Sequence, residues 1–210
     1  MIRAAAVCVV ALLGTDVLAQ SVTMDRIVAR VNNEIVQSLD VRQAGLLRLF
    51  GPDVTGDDAV LEHLINRRLA LADAARYPVP EPSAADVVSR RKRWEASFVA
   101  ASGTAMSLAA WLQDAGMTET SLSGWLKDDA RIETLENQRF TSAPATRDEL
   151  LTYVRDHEAS FAQPGGRLAD VDDPAVQAKA RAEIASAKRA AAVAAWIDSL
   201  RKRAQIQIIR

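Results

Sequence analysis

Cysteine is almost missing from this chain. The single copy, Cys8, sits in an apolar run near the amino terminus. It has no usual lipobox spacing and reads as an ordinary residue of that run. A chain without that segment has neither a disulfide nor a thiol nucleophile. Glycine and proline are also sparse, with 9 and 7 copies in 210 residues. That scarcity argues against an all-β chain with many tight turns, and no phosphate-cradling glycine motif occurs. The 26 basic and 27 acidic residues nearly cancel to a net charge of −1. No bulk attraction to nucleic acid or to a membrane surface is expected from such a balance.

What is present begins with a targeting signal over residues 1–19. Arg3 supplies the positive charge, Ala4 through Leu13 the apolar run, and Val17-Leu18-Ala19 the small-residue cleavage pattern. The run is too short for a stable membrane anchor, and no later segment is apolar enough to span a bilayer. Cleavage after Ala19 leaves 210 − 19 = 191 residues, residues 20–210, enough to bury a large core. The expected location is the periplasm, beyond the inner membrane.

Arg26 to Gln37 reads as a β-hairpin. Ile27, Ala29 and Val31 alternate onto one face, and Ile35 and Gln37 continue the pattern after Asn32-Asn33. Asparagine tolerates the left-handed backbone of a tight turn. At the other end, Ala204 to Ile209 reads as one more strand. A lone hairpin is marginal and a lone terminal strand has no partner, so the two ends are expected to pair.

Almost everything between is helical. Ser38 is expected to cap a short helix ended by Gly51-Pro52. A helix over about 57–76 buries Leu61, Ile65, Leu69 and Ala72. Pro78, Pro80 and Pro82 form a connector, and Ser83 with Asp86 a capping box. Leu108–Ala115 is stopped by Gly116. Thr118 caps a helix to about Phe140, with Leu122, Trp125, Leu126, Ile132 and Leu135 on its apolar stripe. Thr146 and Glu149 form another capping box, for a helix ending near Phe161, and Gln163 to Gly166 reads as a turn. Asp173-Pro174 opens a last helix to about Arg203, about 45 Å long at helical rise.

Several segments resemble one family. Val31-Asn-Asn-Glu-Ile-Val36 is similar to the opening signature of the SurA-type periplasmic chaperones. Leu64-Ile-Asn-Arg-Arg-Leu69 is similar to the helix that follows in that family. Thr146 through Phe161 resembles the helix preceding the family's isomerase domain, and Leu200 through Ile209 its closing helix and strand. The resemblance implies a chaperone domain made of residues 20–162 and 173–210. It departs from the catalytic relatives at one place. After Phe161-Ala-Gln-Pro164 about ten residues remain before the last helix, whereas a parvulin domain needs about a hundred. The paired histidines of a parvulin site are also missing. The isomerase module is therefore expected to be absent, with no catalytic residue, metal or cofactor implied.

Isolated signals weigh the same way. His157-Glu158 starts like the zinc motif H-E-x-x-H, but Phe161 stands where the second ligand belongs. Both His157 and His63 read as surface or boundary residues. Asp170, Asp172 and Asp173 lack the glycine and closing glutamate of a calcium loop and read as turn and cap residues. Arg90-Arg-Lys-Arg93 fans around a helix and reads as a solvated face.

The expected fold is α+β and mostly α: a multi-helix domain closed by a small sheet of the amino-terminal hairpin and the carboxy-terminal strand. The function the resemblance implies is holding unfolded or extended polypeptides, outer-membrane proteins among them, without isomerase activity. Nucleic acid and stable membrane insertion are not expected, and the oligomeric state is open. Alternatives are a dedicated subunit of an envelope or export assembly, and a residual prolyl isomerase. Trp125 and Trp196 are expected in the core. Trp94, Phe98, Met106, Trp111 and Met117 are the candidates for a client-facing groove, since aromatic and methionine side chains make adaptable anchors.

Overall fold

The computed structural model describes residues 25–103, 107–141, 143–161 and 170–209. The signal peptide expected over 1–19, the turn expected over 163–166 and the candidate Met106 lie outside the described residues. Among the described residues the fold is α+β and mostly α, and no helix is long and apolar enough to cross a membrane.

The hairpin forms as β1 (Ile27–Val31) and β2 (Glu34–Gln37). Asn32 takes φ 52° at the turn, the left-handed backbone that asparagine tolerates. The last strand, β3 (Ile206–Ile208), pairs antiparallel with β1, and the sheet order is β2-β1-β3. Ala29 stands opposite Ile208, Arg30 opposite Gln207 and Val31 opposite Ile206. Asn32 also fixes the tail: its N–H donates to Gln205 O, and its Oδ1 accepts from Gln205 N–H.

Eight helices follow the hairpin in the described residues: α1 (Ser38–Leu46), α2 (Asp57–Ala74), α3 (Ala84–Ser102), α4 (Leu108–Ala115), α5 (Glu119–Arg139), α6 (Arg147–Asp156), α7 (Glu158–Phe161) and α8 (Pro174–Arg203). Their starts are written in the chain. Ser83, Ser107, Thr118, Thr146 and Asp173 each cap a helix with a side-chain oxygen. Gly103 and Gly116 end α3 and α4 in the left-handed conformation.

Three boundaries differ from the sequence reading. α1 ends at Leu46, ahead of the expected Gly51-Pro52 stop, because the chain turns at Arg48, which takes φ 47°. Gln37, not Ser38, caps α1: Gln37 N–H donates to Asp40 Oδ2, while Ser38 Oγ donates to Asp25 Oδ1. Ser38 is diverted because strand β2 runs directly into the helix, which brings Asp25 beside it. The helix expected from Thr146 to Phe161 breaks at His157, whose ring nitrogen Nδ1 meets Tyr153 O. The break turns α7 so that Phe161 is buried against α8.

The interior has three parts. The main core joins Ala29, Val31 and Val36 of the sheet to Val41, the buried face of α2, Leu135 of α5, and Trp196 and Leu200 of α8. A second cluster lies among α3, α4 and the first half of α5. A third holds Leu150, Val154 and Phe161 against Ala180 and Ile184 of α8. α8 therefore carries the third cluster on its first half and closes the main core with its last turns.

Candidate client-binding cleft

Of the five side chains singled out for a groove, the four that are described, Trp94, Phe98, Trp111 and Met117, do not make one. Trp94, Phe98 and Met117 are buried in the second cluster with Leu47, Leu112 and Leu122. The Trp94 and Phe98 rings stack at 5.4 Å, and Trp111 meets Phe98 edge-on at 5.5 Å. Trp94 Nε1 donates to Leu47 O at 3.0 Å. Trp111 is partly buried at the rim of the same cluster. The physical reason is their spacing: residues 94 and 98 fall on one helical face, and that face meets α5 and the end of α1. Side chains closed on one another offer a client no surface in this conformation, so they are core.

The concave surface lies elsewhere. A cleft of about 530 Å³ opens between α2, α3, α5 and α8. Its apolar margin comes from Phe50 after α1, Ile132 on α5, and Val193 and Ile197 on α8. His63 stacks on Phe50 at 5.1 Å, and the edge of Trp125 meets that ring at 5.7 Å. A second hollow, of about 650 Å³, is bounded by α1, the loop after it and the first turn of α2. It lacks the facing wall that α8 gives the cleft.

The floor of the cleft is charged but internally paired. Arg67 is 8% exposed, and its guanidinium lies 3.8 Å from the centre of the Trp125 ring. It donates to Asp129 Oδ1 at 2.8 Å, to Asp128 Oδ2 at 3.3 Å and to Trp125 O at 3.1 Å. A buried guanidinium needs such partners, because an unpaired buried charge is strongly destabilising. Arg90 faces Asp129 and bonds Glu133, and Arg93 also reaches Glu133. Arg91 bonds Glu95 and Glu119. The basic run read as a solvated face thus anchors α3 to α5 through three of its four residues.

Arg189 of α8 bonds Glu136 and Asn137 on the facing α5. Burial pushes the Asp129 and Glu136 carboxyls above their ordinary values, and the facing arginines only partly offset that burial. The cleft therefore has apolar lips over a floor whose charges are largely balanced. Such a surface gives contact area to many side chains and strong attraction to none.

Arg67 was missed in the sequence, although it falls on the buried stripe of α2 with Leu64. A charged residue on an apolar stripe was the available signal. Asp73, 5% exposed, carries the same signal: it accepts from Trp196 Nε1 at 3.0 Å and Arg139 Nη1 at 3.1 Å. Asp173 caps α8, and Asp170 accepts from Asp172 N–H, so these acids serve a turn and a helix start. No group of three or more metal-ligating side chains is assembled among the described residues. No family model matches the sequence, and no curated protein does.

Proposed function

We propose that this protein is a holding chaperone for unfolded or extended polypeptides in the periplasm. The observation that carries this reading is the four-helix cleft, with apolar margins and a self-neutralised floor. An extended segment can lay apolar side chains on Phe50, Ile132, Val193 and Ile197 without first displacing a strong ligand. The opposed walls shield those side chains from other unfolded chains, which slows aggregation. Binding is broad and weak, because each client loses conformational freedom on docking. The resemblance of four segments to SurA-type chaperones supports the same reading.

The test is aggregation of several unrelated denatured proteins at near-stoichiometric ratios. The wild-type chain is expected to slow all of them. Val193→Glu puts a charge on the lip at a partly exposed helix position and is expected to lose most of the effect while melting within a few degrees of wild type. A chain that protects none of the denatured proteins, yet co-purifies with one folded protein, is a dedicated subunit instead. Acceleration of a proline-limited refolding reaction would identify an isomerase.

A further inference from the structure

The sheet has two edges, and among the described residues only the β2 edge is blocked. On β2, the backbone of Ile35 and Gln37 faces away from β1 by the register of the hairpin. Gln37 N–H is already bonded to Asp40 Oδ2, and α1 begins at the next residue. A strand added there would run into the helix.

β3 is different. Asn32 N–H donates to Gln205 O and Ile209 N–H to Val28 O, so residues 205, 207 and 209 face β1. The N–H and C=O groups of Ile206 and Ile208 must then point outward, since strand residues alternate. No other strand covers them among the described residues. Natural edges are blunted by shortness, flanking charge, proline, a bulge or an inward charge. β3 is short, at three residues, and flanked by charge, but Ile206-Gln-Ile208 has no proline, bulge or charge of its own, and Ile208 is 45% exposed.

Three basic residues flank this edge in register or in sequence. Arg30 is exposed and stands opposite Gln207. Lys202 and Arg203, also exposed, occupy the last turn of α8 just before the strand. None of the three is ion-paired among the described residues, and Arg203 Nε donates back to Ser199 O at 3.1 Å.

We infer that the outer edge of β3 binds an extended acidic polypeptide segment by strand addition, a second contact for the clients proposed above. The segment supplies backbone groups to Ile206 and Ile208 and carboxylates to Arg30, Lys202 and Arg203. A second copy of this chain is the poorer occupant. Three residues per strand fall far short of the roughly 1,200 Å² that a stable interface buries. Two like-charged edges would also repel. The inference rests on the chaperone reading for the nature of the segment, but its chemistry is tested separately.

The probe is a short fluorescein-labelled peptide of alternating valine and glutamate, at low salt. It is expected to bind roughly tenfold tighter than its valine–lysine counterpart, and to lose binding when fully N-methylated. In the wild-type chain, the probe should slow amide exchange at Ile206 and Ile208 but not at Gln207, whose N–H already faces β1. Ile208→Pro removes an outward donor without touching the β1 pairing, a placement proline tolerates at an edge. That variant is expected to lose roughly tenfold in probe affinity while still slowing aggregation through the cleft.

Equal binding of acidic and basic probes, unchanged exchange at Ile206 and Ile208, or a probe that binds only a dimer would overturn the edge. A wild-type chain that slows aggregation but ignores the probe refutes the edge alone. One that binds the probe but protects no denatured protein refutes the chaperone reading and leaves the edge standing.

Discussion

Asp73 shows how much one side chain can hold. It is buried, and its carboxylate gathers Trp196 Nε1 from α8 and Arg139 from α5. Asp73→Ala leaves the indole donor buried without a partner, and the expected loss is about 1–3 kcal/mol. Thermal denaturation followed by circular dichroism should show a midpoint lower by several degrees. An unchanged midpoint would mean that the Asp73 pair merely breaks even against its desolvation. Arg67 plays a matching role under the cleft. Neither residue was singled out in the sequence: a charge on an apolar stripe signals a buried polar group but not the partner that satisfies it. Their partners, Asp129 and Trp196, are 62 and 123 positions away.

Helix starts, by contrast, were legible from the sequence. A cap needs an oxygen three or fewer positions from the N–H groups it accepts, so Ser83, Thr118, Thr146 and Asp173 announced α3, α5, α6 and α8 locally. Ser38 failed as a cap because Asp25, distant in sequence only across the hairpin, took its hydroxyl. Between elements the α5–α8 tie is the informative one. Burial raises the Glu136 carboxyl above its ordinary 4.5, with Arg189 opposing. A raised acid binds protons more readily in the folded state, so its charging costs stability as pH rises through the folded value. Glu136→Gln removes that cost. The stability of the variant relative to wild type is therefore expected to increase from below pH 4.5 toward neutrality. Urea titrations at both ends of that range will check the sign. A difference that shrinks with rising pH would mean that the Arg189 pairing outweighs burial.

For the molecule as a whole, the head-to-tail sheet was read correctly from two short segments, since neither could be stable alone. The cleft was not readable in the same way. It is the space left where α8 bridges the main core and the third cluster, and its apolar margin takes residues from three separate segments. Aromatic content pointed instead to Trp94 and its neighbours, which the second cluster consumed. Truncation after Arg203 offers a direct test of closure. It bares the β1 edge beside Ala29 and Val31 and leaves only the hairpin. The truncated chain is expected to melt several degrees lower and less cooperatively. An identical transition would show that the last strand adds nothing to the stability of the fold.

Asn32 and Gln205 meet across 173 positions. In a chain made from its amino terminus, the hairpin emerges well before its partner strand. The open side of β1 must therefore wait for β3 to be delivered, whatever compartment receives it. Local helices can form during that wait, but the long loop must close before the tail docks. Completion of the sheet thus acts as a built-in record that every element from β1 to β3 has arrived.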